Sequence, residues 1–240
     1  MSASDIRYQA RQALAGRWLI AILVTLLASI LGGAVASTNV SFNFDFDPGT
    51  LQNLPEEIRI AIGGVLGIMA TVGIFLGTVQ FVFGGVVKLG YCQFLLKMQD
   101  GEEPEGKDLF SCSNQFGDGF ILNLLTGLYT ALWTLLFIIP GIVAAYSYAM
   151  APFIMSENPG MKASEAISAS KAMMNGHKAE LFVLDLSFIG WCILNVFTLG
   201  IGSLWLNPYM NAAHAAFYRS LQPRNFYQPE NEDHTGSWTP

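Results

Sequence analysis

The chain has 240 residues, of which 52% are hydrophobic and 24 are glycine, while charged residues make up only 12% and leave a net charge of −6. Soluble domains carry about 25% charged residues, so this composition, with a mean hydropathy of +0.41, excludes an ordinary soluble domain, a disordered chain and a collagen-like repeat. The negative balance offers no basic surplus for phosphate backbones, so nucleic acid is excluded as a partner. A membrane protein remains.

The amino-terminal segment, residues 1–17, reads as a cytoplasmic amphipathic helix. Ser4 is placed to cap it, and Ile6, Ala10, Ala13 and Leu14 share one face, a pattern suited to lying along the inner membrane surface. Residues 18–36 carry no charge and match the roughly 20 apolar residues that cross a 30 Å core. Their end, Ala34-Val35-Ala36, also fits a secretory signal with a small-residue cleavage site. The run is longer than a usual signal core, which favours a retained first span.

An outer loop follows, in which Phe42-Asn43-Phe44-Asp45-Phe46-Asp47 alternates as a short strand or an interfacial flap would. Asp45 and Asp47 supply two carboxylates, short of the roughly six to eight oxygens that calcium takes. Residues 60–87 form the second span. There Gly63, Ala70, Gly77 and Gly84 recur every seven residues, with Gly67 and Gly73 beside them, which predicts a helix-packing seam. The inner loop 100–118 concentrates Asp100, Glu102, Glu103, Glu105 and Asp108 and reads as a solvated turn.

Residues 120–155 are uncharged throughout. As one helix they would measure about 54 Å, and even a 40° tilt accommodates only about 39 Å. The break is expected at Pro140 and Gly141, as a type II turn between spans three and four. Residues 158–178 read as a second cytoplasmic amphipathic helix, with Ala163, Ala166, Ile167 and Met174 on one side, Lys162, Glu165 and Lys171 on the other, and Gly176 as its stop. Residues 181–218, interrupted only by Asp185 and His214, are again too long for one span; Gly200 and Gly202 mark the break between spans five and six. The tail, 222–240, is polar and proline-dotted and is expected to be disordered.

The expected fold is therefore all-α: a polytopic transmembrane helical bundle of about six spans, arranged as one, one and two tight helical hairpins, in a single membrane domain over residues 18–221. Basic residues agree with this threading. Arg7, Arg11 and Arg17, then Lys88, Lys97 and Lys107, then Lys162, Lys171 and Lys178, then Arg219 and Arg224 all fall on the side that stays in the cytoplasm, and only Arg59 does not. The same count holds whether spans four and six cross fully or re-enter. The first inner loop (Met98-Gln99-Asp100-Gly101 leading to Leu109-Phe110) is weakly echoed by Met174-Asn175-Gly176 leading to Leu181-Phe182, a short pattern that recurs by chance in such chains.

No reaction is named by the motifs. Cys92, Cys112 and Cys192 lie far apart, and His177, His214 and His234 share no ligand spacing, so neither metal nor cofactor is expected. Nucleophile-turn and phosphate-loop patterns are absent from the sequence. What stands out is three polar stripes within the apolar segments: Asn123, Thr126, Thr130 and Thr134 on span three; Asp185, Cys192 and Asn195 on span five; Asn207, Asn211, His214 and Tyr218 on span six. They read as inter-helix hydrogen bonding or as a polar pathway in which Asp185 supplies charge and His214 exchanges protons.

The segments ARQALAGRW (10–18), GEEPEGKDLF (101–110), IIPGIVAAYSYAMAP (138–152), ENPGMKASEAI (157–167) and NGHKAELFVLDLSFIGW (175–191) together resemble the bacterial domain-of-unknown-function 975 family, over residues 5–221. Lys162 departs from the pattern, which leads one to expect a serine-like cap before Glu165. The resemblance implies an integral protein of the bacterial plasma membrane with no assigned activity and no catalytic residues. Two functions are expected from all this. The first is a non-enzymatic structural or accessory component of the envelope, contacting lipid and a membrane-protein partner or a second copy. The second is a small-solute or lipid transporter built on the three stripes.

Overall fold

The computed structural model describes residues 2–32, 55–198 and 200–222, and among them every regular element is helical. The expected strand at 42–47, the Ala34-Val35-Ala36 site and the tail beyond Gln222 lie outside these residues. Helix α1 (Ala3–Leu14) is followed by α2 (Trp18–Gly32), the 44-residue α3 (Glu56–Gln99), two 3-10 turns (Gly106–Phe110 and Ser113–Gln115), α4 (Phe116–Leu136), α5 (Ile138–Tyr148), α6 (Ala151–Glu157), α7 (Ala163–Met173), α8 (Lys178–Leu186), α9 (Ile189–Phe197) and α10 (Ser203–Leu221).

Among the described residues three stretches are long and apolar enough to cross a membrane, Glu56–Phe75, Gly106–Leu136 and Ile138–Glu157, and the bent pair Ala3–Leu14 and Trp18–Leu31 is a fourth only if it is counted as one span. That is fewer than the six spans expected. The fifth is divided, because the chain turns at Ser187 and Phe188 between α8 and α9, where the Ser187 hydroxyl donates to the Leu184 carbonyl at 2.5 Å. A back-bonding hydroxyl competes for the carbonyl that a continuing helix needs.

Helix α1 is capped by Ser2 rather than Ser4. The Asp5 amide donates to Ser2 Oγ at 3.3 Å and the Ser2 amide donates to the Asp5 carboxylate at 3.0 Å, the reciprocal pattern of a capping box. Hydrogen bonding from the Ser2 side chain and amide holds the Asp5 carboxyl below its ordinary value. The expected apolar face exists, but it does not lie on lipid: Ile6, Ala10 and Leu14 are buried, and α1 packs along α10. Gly16, at a φ of 77°, then turns the chain through 99° into α2.

The first hairpin breaks one turn earlier than expected. Phe137 adopts extended angles, and Pro140 and Gly141 sit in the first turn of α5, where proline's missing amide costs nothing. Gly141 is needed for proximity: a Cβ there would overlap Thr134 of α4. Further on, Gly200 has a φ of 84° and Gly202 takes the cap position of α10.

The inner loop is solvated at Glu102, Glu103 and Glu105, as expected, but not at Asp108. Asp108 is buried and accepts from Lys97 Nζ at 2.8 Å, while Leu109 is fully buried against α3 at Gly90. A Cβ on Gly90 would overlap the Leu109 carbonyl, and one on Gly85 would overlap the Gly119 carbonyl of α4. These glycines carry the closest helix approaches. At Gly63, Gly67 and Gly77, members of the expected seam, a Cβ would meet nothing within 4 Å. Ala70 lies on the same helix, and Gly84 is buried at the start of the packed half.

The core gathers below that level. One cluster joins Leu14 of α1, Tyr91 and Phe94 of α3, Phe188, and Phe217 of α10; a second joins Leu89, Leu122, Tyr148, Met155 and Ile167. Helix α7 forms as the sequence predicts, with Ala163, Ala166 and Ile167 buried. Lys162 takes the cap position without a capping side chain; its amide donates to Glu165 Oε2 at 3.1 Å.

Candidate functional site

The polar residues that meet are Asp185 and His214, from the stripes expected on spans five and six, joined by one residue that sequence reasoning missed. Asp185 lies near the end of α8, His214 in the middle of α10, and Tyr146 near the end of α5. The Tyr146 hydroxyl donates to Asp185 Oδ2 at 2.9 Å, and His214 Nε2 lies 2.6 Å from Asp185 Oδ1. Both carboxylate oxygens are thus engaged, each by a different helix. The Tyr146 ring also meets Phe182 edge-on at 5.9 Å. The signal for Tyr146 was its place in an uncharged stretch, since a buried tyrosine hydroxyl needs a partner.

The rest of the span-six stripe makes separate contacts. Asn211 is buried and donates from Nδ2 to the Asn207 carbonyl at 2.9 Å; the Tyr218 hydroxyl donates to Glu157 Oε2 at 2.6 Å. On span five, Cys192 is partly buried against the larger cluster. Among the described residues Asn195 Oδ1 is buried without a hydrogen-bond partner, beside a cavity of about 300 Å³ lined by Trp18, Trp191, Trp205 and Tyr209.

The span-three stripe turns back on its own helix. Thr126 donates to the Leu122 carbonyl at 2.7 Å and Thr134 to the Thr130 carbonyl at 2.8 Å. Asn123 and Thr126 border a space of about 10 Å³ with Lys88, Gly85, Gly119 and Pro152, room for about one water molecule. Lys88 is thus an internal residue of α3 rather than the start of an inner loop.

A second polar cluster, at the loop ends, was also missed. Arg219 of α10 pairs with Asp100 at 2.5 Å and with Glu157, and Gln222 Nε2 donates to Glu157 Oε2 at 2.7 Å. It ties the ends of α3, α6 and α10 together. Burial pushes the Asp100 carboxyl above its ordinary value against the pull of Arg219. For Arg219 burial acts in the lowering direction, and Glu157 and Asp100 outweigh it, so its pKa is raised. The signal available was charge spacing alone, which does not reveal partners more than 60 residues away.

A family described as "Protein of unknown function (DUF975)" matches residues 1–147 and 135–225. The chain belongs to the DUF975 family. No curated protein and no solved structure matches it. The DUF975 match runs through all three members of the Tyr146–Asp185–His214 group, and through Asp100, Glu157 and Arg219.

Proposed function

We propose that this DUF975 protein is a non-enzymatic polytopic protein of the bacterial plasma membrane, a structural or accessory component of the envelope with both termini in the cytoplasm. Six apolar segments enter the bilayer. Helix α2 and residues 56–83 of α3 cross it, and the two hairpins, α4–α5 and α8–α10, enter from the inner side and return there. Helix α5 has 11 residues, about 16 Å and half of a 30 Å core. It then gives way to α6, which is buried in protein. Leu135, Leu136, Phe137, Ile138 and Ile139 at the hairpin tip are all exposed. An apolar tip favours a turn held within hydrocarbon, and the basic residues stay inside either way. The partners are lipid and a membrane protein or second copy meeting the open glycine face of α3.

The observation that carries the structural reading is the saturation of Asp185. A carboxylate whose two oxygens are taken by Tyr146 and His214 ties three helices together, and within a membrane such polar contacts hold helices where lipid gives apolar burial little advantage. A transport reading rests on the unpartnered Asn195 carbonyl beside its cavity. Single cysteines at Asn123, Thr130, Asn195 and Asn211, placed in a cysteine-free background, separate the two. The structural reading expects all four to resist a small water-soluble thiol reagent in intact cells while loop controls react. Labelling at Asn195 and Asn211 makes the second reading the stronger one.

A further inference from the structure

Helix α7 buries Ala163, Ala166, Ile167 and Ser170 and leaves Ser164, Ser168 and Lys171 exposed. Offsets of four and three place those three on one line. Across from them stand Tyr129 and Trp133 of α4, with Tyr148 of α5 between, and the walls enclose about 350 Å³. One wall is thus hydroxylic and cationic, the other aromatic. Lys171 Nζ lies 5.4 Å from the Tyr148 ring centroid, and Tyr129 leans on Tyr148 at 6.1 Å. Among the described residues the Lys171 ammonium has no carboxylate within ion-pair distance. The charged residues on the elements around it are few: Lys162 and Glu165 on α7, the latter engaged by the Lys162 amide, Asp118 at the start of α4, and Glu157 at the end of α6, which is paired with Arg219. Next to the aromatic wall, α4 exposes Leu128, Leu132 and Leu135.

We propose that this groove binds the phosphate headgroup of an anionic phospholipid, with Lys171 and the Ser164 hydroxyl on the phosphate, Ser168, whose hydroxyl donates to the Ser164 carbonyl at 2.9 Å, free to turn toward it, and an acyl chain along the exposed leucines of α4. A free ammonium supplies charge to an anion without needing bidentate geometry. Tyrosine and tryptophan suit the boundary where a headgroup meets hydrocarbon, and the inner leaflet is the anionic one that basic cytoplasmic helices meet. The volume is that of a small-molecule site. This rests on the reading of α7 as a cytoplasmic surface helix, which reagent labelling of Ser168→Cys from the inner face tests by itself.

The direct test is native mass spectrometry of the full chain in neutral detergent, titrated with phosphatidylglycerol or phosphatidylcholine. Wild type and Lys162→Gln are expected to retain one phosphatidylglycerol more tightly than phosphatidylcholine. Lys171→Gln loses that preference by about tenfold, the scale of one charged hydrogen bond, and Ser164→Ala with Ser168→Ala weakens it less. Equal retention by Lys171→Gln and wild type overturns the site. Displacement of the lipid by soluble glycerol phosphate at matching concentration overturns the lipid as occupant.

Discussion

Helix α3 is one continuous helix with two different surroundings. Between Glu56 and Phe83 the large side chains Ile58, Ile60, Val65, Ile68, Met69, Val72, Ile74, Phe75 and Phe83 are exposed; from Val86 to Met98 nearly every large apolar side chain is buried among other helices. Composition hardly changes between the halves, but contact does. In the second half Gly85 and Gly90 admit backbone from α4 and the inner loop, and Tyr91 shares a hydrogen bond with Thr25 of α2 at 2.7 Å. In the first half the glycines face open space. In the membrane reading proposed above, apolar content takes α3 out of water, while the small residues and the polar contacts decide where it meets protein rather than lipid.

The largest expected effect separates those two kinds of glycine. Gly90→Leu forces a side chain into the Leu109 carbonyl and is expected to cost about 3 kcal/mol or more, seen as loss of the monodisperse peak in detergent gel filtration. Gly67→Leu and Gly77→Leu leave the single chain folded, and any loss they cause appears only in an oligomeric peak. A normal Gly90→Leu profile would erase the distinction drawn along α3.

Next in size is the group that fastens the α4–α5 hairpin to α8 and α10. Asp185→Ala leaves the Tyr146 hydroxyl and His214 without their shared partner, and a loss of about 1–2 kcal/mol is expected, measured as a lower thermal midpoint in detergent. Adding Tyr146→Phe to Asp185→Ala should cost little more, because the contact is already gone. Full additivity of the two changes would show that the carboxylate is not what Tyr146 serves.

The smallest effect concerns the inner end of the same helix. Folding raises the Asp100 carboxyl through burial, so the folded chain binds that proton more readily than the unfolded one. This group's contribution is complete below its unfolded value and declines as pH rises through its folded value. The stability of wild type relative to Asp100→Asn should therefore fall as pH rises through the carboxylate range. A difference that grows with pH would reverse the assignment of burial as the leading cause.

Much of this was legible in the sequence because periodicity and charge act locally. The buried face of α7, the stop at Gly176, the turn at Gly200 and the prominence of Asp185 and His214 all follow from neighbours within a turn or two. What was illegible depends on distant partners. Asp108 looked solvated because Lys97 was not known to reach it, and the α1 face looked fit for lipid because apolar residues do not say whether lipid or α10 will cover them. Phe137 broke the hairpin where the turn residues nearby suggested Pro140, since proline serves a helix's first turn as well as a tight turn. The seam of Gly63, Gly67, Ala70, Gly77 and Gly84 has the right period, yet the closest approaches use Gly85 and Gly90, one register away.

The central claim is that one helix passes from lipid to protein, and labelling along it tests that directly. Spin labels at Val65, Ile68, Val72 and Phe75, and at Val87, Leu89, Phe94 and Leu95, in the full chain in liposomes, report collisions with oxygen and with a water-soluble nickel complex. The account predicts high oxygen and low nickel accessibility at the first four positions and low values of both at the last four. High nickel accessibility at Val65 to Phe75, or oxygen accessibility at Leu89 to Leu95 equal to theirs, would contradict it.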